Sequence, residues 1–370
     1  MMNRKVIFVN ATSVTIGGSL TILKQFIKNI FLYKEQGEIY YIFVPINSDY
    51  KDTGYVKFIK IKGKKYIDRL KWDIYGMKQW SKKKDIFPDL IISLQNTGVF
   101  FNNIKQIIYL HQSLPYAEES RWNIFKKDER KMWFYRNIYN IWIDKTIKPD
   151  YFIVVQTHWM KQVLINRGYL GTNIIISKPD VDEIKVEDIK SLKKEKDFCF
   201  FYPAADYKYK NHNVIIEAIN KLYCSNKNLE KKIQIIFTLE KKSYLYERVV
   251  ELGLEKIIKF VGQIPYNEVL RYYKSCDVVL FPSYIETFGL PLIEASKFNK
   301  KILVSNCSYS REVLENYNNA IYIDYKDIYE WSININNAIN NANNNVKESI
   351  HIKKSSNGWD STFELINRLV

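Results

Sequence analysis

Two glutamates, Glu286 and Glu294, flank a Phe-Gly-Leu-Pro turn in "CDVVLFPSYIETFGLPLIEASKFNKKILVS" (276–305). The run "DVVLFPS" reads as a strand buried on both faces, "YIETFG" as a loop, and "LPLIEASKF" as a helix. Pro291 falls in the first helical turn, where its missing N–H costs nothing. In open parallel sheets, ligands bind outside the carboxyl ends of the strands, and Glu286 lies just past such an end. Gly289 lets the backbone approach a ligand closely, and the N–H groups of the helix start favour an anion such as a pyrophosphate. Glu294, about one turn into the helix, suits two neighbouring hydroxyls such as those of a ribose. Taken singly, each carboxylate also has an ordinary reading, Glu294 as a helix-dipole residue and Glu286 as a solvated loop residue.

The elements around these residues must position them. From residue 198, the apolar runs "FCFFYP" (198–203), "IQIIFTL" (233–239), "IIKFVG" (257–262), "DVVLFP" (277–282), "KILVS" (301–305) and "AIYID" (320–324) alternate with stretches of helical periodicity. That alternation implies a parallel sheet covered by helices on both faces. The first half is similar but less regular. Its strand candidates are "KVIFVN" (5–10), "IYYIFV" (39–44), "DLIISL" (89–94), "QIIYLH" (106–111) and "YFIVVQ" (151–156), with helices notably at 18–33 and 158–167. The expected class is α/β, with two doubly wound Rossmann-like domains over 1–180 and 181–354. The polar stretch 177–197 is the candidate linker, and the Asn-rich stretch 334–349 reads as a weakly specified surface segment.

A chain of 370 residues with 46% apolar and 15% aromatic content fits an ordinary two-domain globular protein and excludes fibrous or disordered classes. No apolar run is long enough for a membrane span, and the start "MMNRKVIFVNATSV" has too short an apolar core for a signal peptide, so a cytoplasmic protein is expected. The cysteines, Cys199, Cys224, Cys276 and Cys307, lack metal-binding spacing. Three lie in or beside apolar runs and read as buried reduced thiols.

The formal net charge of +16 calls for an anionic partner, whether nucleic acid, anionic lipid or phosphorylated substrate. Much of it lies in 57–84 and 121–148, which mix Lys and Arg with Trp, Tyr and Phe. Ile67, Leu70, Ile74 and Met77 recur at helical spacing within the first. The pattern fits a basic amphipathic helix lying on a membrane, and equally one packed on its own domain.

The segment "FPSYIETFGLPLIEAS" followed by "KKILVSNCSYSREVL" resembles the retaining nucleotide-sugar glycosyltransferases of glycosyltransferase family 4, whose signature is E-x7-E enclosing F-G-[LI]-P. Further pieces fall in that family's order. "VTIGGSLTIL" (14–23) is similar to its N-terminal glycine loop, "IYLHQSLP" (108–115) to its strand ending in histidine, and "FYPAADYKYKNHNVIIEAI" (201–219) to its phosphate-binding segment. "FVGQIPYNEVLRYYKSCDVVLFPS" resembles the base-binding turn and helix, with Gly262 in the turn. "SSNGWDSTFELINRL" (355–369) resembles the helix that crosses back onto the first domain. The implied fold is GT-B, in which two doubly wound domains face each other across a cleft.

The resemblance implies roles. Glu294 would hold the ribose hydroxyls and Glu286 would contact the transferred sugar. Phe288, Gly289 and Leu290 would offer backbone N–H groups, and Lys210 would neutralise the departing diphosphate. Gly17 and Gly18 would let the first domain approach that diphosphate, and His111 would line the sugar pocket. Three positions depart from the family. Ala204 stands where an arginine is usual, with Lys208 as a neighbouring cation able to compensate. Asn211 replaces a glycine, and "KPDVDE" replaces the usual P-N-G-V-D.

The implied reaction transfers a glycosyl group, with retention, from a nucleoside diphosphate sugar, UDP-sugar favoured, to a hydroxyl. The leaving phosphate oxygen would take the acceptor's proton. No metal and no cofactor beyond the nucleotide sugar are expected, and the D-V-D at 180–182 falls in the linker. The basic-aromatic segments suit a lipid diphosphate-linked saccharide acceptor at the inner face of the membrane, as in O-antigen or capsule assembly. A basic single-strand nucleic-acid binder leaves the glutamate signature unexplained and is not expected. A non-catalytic GT-B partner subunit remains the other alternative.

Overall fold

In the computed structural model, residues 4–15, 17–63, 66–117, 122–181, 184–341 and 358–370 are described. The chain divides into two units, Met1–Asp180 with Ser355–Val370, and Val181–Lys354.

In the first unit the apolar runs form seven parallel strands: β1 (Lys5–Asn10), β2 (Glu38–Pro45), β3 (Val56–Ile61), β4 (Leu90–Ser93), β5 (Lys105–Tyr109), β6 (Phe152–Val155) and β7 (Ile174–Ile176). They lie in the order β3-β2-β1-β4-β5-β6-β7, so the order reverses between β1 and β4. Helices α1 (Gly17–Tyr33), α2 (Tyr66–Lys71), α3 (Met77–Lys84), α4 (Arg130–Phe134), α5 (Asn140–Thr146) and α6 (His158–Asn166) connect them. Along β1, Ile7 and Val9 enter one core cluster while Phe8 enters another, as the pleat of a doubly covered strand requires.

The second unit carries six parallel strands: β8 (Phe198–Tyr202), β9 (Ile233–Phe237), β10 (Ile258–Phe260), β11 (Val278–Phe281), β12 (Lys301–Ser305) and β13 (Ala320–Ile323). Their order is β10-β9-β8-β11-β12-β13, reversing between β8 and β11. The helices are α7 (His212–Ser225), α8 (Leu229–Lys232), α9 (Tyr244–Glu251), α10 (Tyr266–Ser275), α11 (Leu290–Lys297), α12 (Ser308–Val313) and α13 (Ile328–Asn340). Both units are the expected doubly wound α/β sheets.

The last helix, α14 (Asp360–Leu369), belongs to the first unit. Trp359, fully buried, stacks on Tyr109 at 5.2 Å between ring centroids, and Phe363 stacks on Phe26 at 5.5 Å and Tyr33 at 5.2 Å. The Trp359 indole N–H donates to Gln25 at 3.2 Å, and the Gly358 N–H donates to Asp180 at 3.2 Å. A Cβ at Gly358 would sit 1.8 Å from the Lys178 carbonyl oxygen, so only glycine fits there.

Several local expectations need correction. The stretch 57–84 is not one helix: its start is β3, an edge strand whose interspersed Lys57 and Lys60 hid it while protecting the edge. Its helical part is interrupted by a π-turn, Trp72–Gly76, which accommodates an extra residue and rotates the buried face. Trp72, Asp73, Met77 and Ser81 are buried, while Ile67 and Ile74 are exposed. The second basic stretch is helical only from Arg130 to Thr146, again with a π-turn, Tyr135–Tyr139. Strand β7, at the other edge, is too short to read from the sequence. Cys199 and Cys276 are buried free thiols, but Cys307 is half-buried and Cys224 exposed. Asp182 and residues 342–349 of the Asn-rich stretch lie outside the described residues, while the first part of that stretch completes α13, with Ile335 and Ala338 buried.

Trp359 is a fully buried member of the first unit's main core cluster. Trp359→Ala is expected to destabilise that unit by about 3–5 kcal/mol, measured by urea unfolding followed through near-UV circular dichroism.

Candidate active site

The second unit's site is built where its strand order reverses. Strand β8 ends at Tyr202, and the chain then makes a short 3-10 turn, Lys208–Lys210, before α7. Strand β11 ends at Phe281, and residues 282–289 lead into α11. The two loops are laced together: the Tyr284 N–H donates to the Tyr209 carbonyl at 3.0 Å, and the Ser283 hydroxyl donates to it at 3.3 Å. This lacing brings Lys210 onto Glu286, its ammonium donating to the Glu286 carboxylate in an ion pair with both side chains largely buried. Lys208, on the same turn, is exposed.

Asn211, one of the departures, has φ +58°, the left-handed conformation that glycine or asparagine adopts most readily. Its side-chain amide donates to the Tyr325 carbonyl at 2.8 Å. The next residue, His212, is fully buried between Tyr202 and Phe237, with ring centroids 4.5 Å and 5.0 Å away. Neither of its ring nitrogens has a hydrogen-bond partner among the described residues. Burial, with the Lys210 charge adding to it, pushes its pKa down to about 3.

Gly289 starts α11 with φ +85°; a Cβ there would crowd Leu292 at 3.3 Å and the Tyr309 ring at 3.5 Å. Phe288 is buried, and Leu290 and Pro291 open the helix. Glu294 accepts from the Tyr266 hydroxyl at 3.1 Å, and burial raises its carboxyl above the usual range. Gly262, φ +75°, follows β10, where a Cβ would meet the Glu240 carboxylate at 3.2 Å. Among the described residues, no cluster of three His, Cys, Asp or Glu is placed to hold a metal.

Gly17, Gly18 and His111 belong to the first unit. Gly17 opens α1 with φ +65°, and a Cβ on either glycine would meet nothing within 4 Å. His111 follows β5; its N–H donates to Asn96 Oδ1 at 2.7 Å, and its Nε2 lies 3.1 Å from the Leu94 carbonyl. A carbonyl only accepts, so Nε2 carries the proton and Nδ1 the lone pair. Burial and the nearby Arg69 charge, opposed by the Leu94 carbonyl, push the ring down to about 4, so it is neutral at pH 7.

Sequence reading missed a polar network at the β1/β4 reversal. Asp73, fully buried, accepts from Asn10 at 2.8 Å and Thr97 at 3.2 Å, and lies 3.7 Å from the Arg69 guanidinium. Arg69 also donates to Thr97 at 3.0 Å, Tyr139 at 2.9 Å and the Gln95 carbonyl. Burial pushes the Asp73 carboxyl up to about 6, against the lowering pull of Arg69 and the hydrogen-bond donors. The two π-turns bring Asp73 and Tyr139 into this network, and only an i to i+4 Arg-Asp spacing hinted at it.

With this geometry established, the comparisons define the class. Residues 183–354, nearly the whole of the second unit, match the family described as glycosyl transferases group 1. The chain is 31% identical over 247 residues to the O-antigen chain mannosyltransferase RfbU of Salmonella typhimurium, the match covering 64% of this chain and 65% of that protein. It thus spans just under two thirds of that relative. The fold matches a sucrose-phosphate synthase from Thermosynechococcus elongatus, with a TM-score of 0.67 at 15% identity over 99% of this chain and 98% of that one. It also matches Anabaena HepE, solved in complex with UDP, with a TM-score of 0.60 at 14% identity over 91% and 90% of the two chains. The fold is therefore GT-B.

His212 gives the second unit an acid sensitivity. An unfolded histidine titrates near 6.5, and the folded one near 3. Between these values the unfolded chain binds a proton that the fold refuses, so the contribution is intact above pH 6.5 and falls as pH drops, by at most about 1.4 kcal/mol per pH unit. Urea midpoints at pH 7 and 4.5 should fall less steeply for His212→Phe than for the wild type.

Proposed function

We propose that this chain is a retaining, metal-independent glycosyltransferase that moves a hexosyl group from a nucleoside diphosphate sugar, UDP-sugar favoured, to a hydroxyl of a growing surface polysaccharide. The observation that carries the reading is the Lys210–Glu286 ion pair at the β8/β11 reversal, beside the start of α11. A partly buried ammonium and uncapped helix N–H groups suit a diphosphate, and charge placed where charge develops in the transition state is usually the largest catalytic contribution. In the unliganded chain Glu286 balances Lys210. On donor binding the lysine turns to the diphosphate, and the glutamate is released to the sugar hydroxyls. Glu294 holds the ribose, with Tyr266 beside it. The leaving phosphate oxygen accepts the proton of the acceptor hydroxyl on the same face of the sugar.

The relative's O-antigen activity supports a saccharide acceptor in surface polysaccharide assembly. We read that acceptor as lipid diphosphate-linked and met by a cytoplasmic protein held peripherally at an anionic inner membrane surface. Support comes from the first unit, where Ile67, Ile74, Tyr75, Phe125, Ile138 and Ile141 are exposed on or near the basic helices, Phe125 at 87%. Exposed Lys82, Lys83, Lys84, Lys126, Lys127 and Lys131 accompany them. No helix among the described residues is long and apolar enough to cross a membrane.

Thermal unfolding with UDP, GDP, dTDP and CMP tests the site. One nucleotide at about 100 times its dissociation constant should add roughly 2.7 kcal/mol to the wild type and nothing to Glu294→Ala. Stabilisation by random oligonucleotides alone would overturn the reading. Lys210→Met is expected to lower kcat by roughly 10²- to 10³-fold with the preferred donor, measured by nucleotide release.

A further inference from the structure

We propose that Arg69 and Asp73 are positioning residues for His111, acting through the segment 94–97 that lies between them and the histidine. The inference rests on the reading of His111 as a ligand of the transferred sugar.

The segment leaves the carboxyl end of β4 and is held from two sides. On one side, the Gln95 carbonyl accepts from Arg69 and from the Tyr139 hydroxyl at 3.1 Å, and the Thr97 hydroxyl accepts from Arg69 at 3.0 Å while donating to Asp73 at 3.2 Å. On the other side, the Leu94 carbonyl takes the His111 Nε2–H and the Asn96 side chain takes the His111 N–H. Residues 95 and 97 therefore serve the ion pair, and 94 and 96 serve the histidine. Asn96 adopts φ +67°, a left-handed conformation that asparagine takes readily, and from it its side chain accepts the His111 backbone N–H.

The cost of this arrangement argues for its purpose. Burying a carboxylate and a guanidinium usually stabilises less than packing apolar groups in the same volume. Here Asp73 of the pair and its neighbour Tyr139 are each set in a π-turn, a feature rare within helices and frequent at functional sites. What it fixes is the direction of the Leu94 carbonyl, and so which nitrogen of His111 carries the proton. With the proton on Nε2, the lone pair on Nδ1 accepts from a sugar hydroxyl. Burial, with the Arg69 charge adding a smaller push, keeps the ring from becoming an imidazolium, which has no lone pair to offer.

Ring nitrogen NMR on the full chain at pH 7 tests this, with the His111 signal among the four histidines assigned through His111→Gln. Arg69→Lys keeps the charge but replaces the fork by a point charge, and Asp73→Asn keeps the shape but removes the counter-charge. In both variants the His111 ring should lose its pure Nε2–H signature. Transfer kcat should fall roughly ten- to a hundredfold, as misplacement of a substrate ligand entails, with the unfolding midpoint retained in Arg69→Lys, which keeps a cation beside Asp73. An unchanged ring signature in Arg69→Lys overturns the proposal; that variant decides the matter alone if Asp73→Asn does not fold. A changed signature combined with wild-type transfer by His111→Gln supports the positioning role and instead refutes the reading of His111 as a sugar ligand.

Discussion

A parallel sheet buried on both faces leaves its polar chemistry little room except along the carboxyl edge, and the rest of this structure follows from that constraint. Each sheet winds outward in both directions from a central pair of strands, β1/β4 in the first unit and β8/β11 in the second. At each reversal the connecting chains leave on opposite faces, which opens a crevice at the carboxyl ends of the central strands. The loops that follow β8 and β11 carry Lys210 and Glu286, while in the first unit Asn10 at the end of β1 and Gln95 and Thr97 after β4 meet Arg69 of α2 and Asp73 of the following π-turn.

The two reversals use charge differently. In the second unit the lysine and glutamate are partly exposed and close on each other, an arrangement that satisfies both groups and that a diphosphate can displace. Breaking such a pair is costly unless a ligand supplies replacement partners, so ligand-free and ligand-bound states can both be satisfied. In the first unit the carboxylate is fully buried, and its ion pair with Arg69 is tied by further hydrogen bonds to Asn10, Gln95, Thr97 and Tyr139. That network is suited to holding backbone in place.

The return of the chain to its first unit is equally physical. Trp359, Phe363 and Ile366 complete a core that α1 and β5 leave open, and Gly358 is the point where the chain passes within contact of the Lys178 carbonyl. The second unit's fold is thus enclosed in sequence by pieces of the first.

The strands buried on both faces were legible in the sequence because double burial demands a short, unbroken apolar run such as "FCFFY" or "VVLF". The edge strands β3 and β7 were not, since an edge tolerates lysines and needs few residues. Glu286, Glu294 and Lys210 stood out by type and spacing, but nothing in the sequence placed Lys210 against a carboxylate 76 positions away. Asp73 was invisible because π-turns shift the helical period that sequence reading assumes, burying polar residues that the pattern assigns to solvent. By itself the sequence determined the two α/β sheets and the residues at their carboxyl edges, because burial selects residue type locally. Only tertiary structure decided which of those residues meet, because strand order and helical phase depend on the packing of segments distant in the chain.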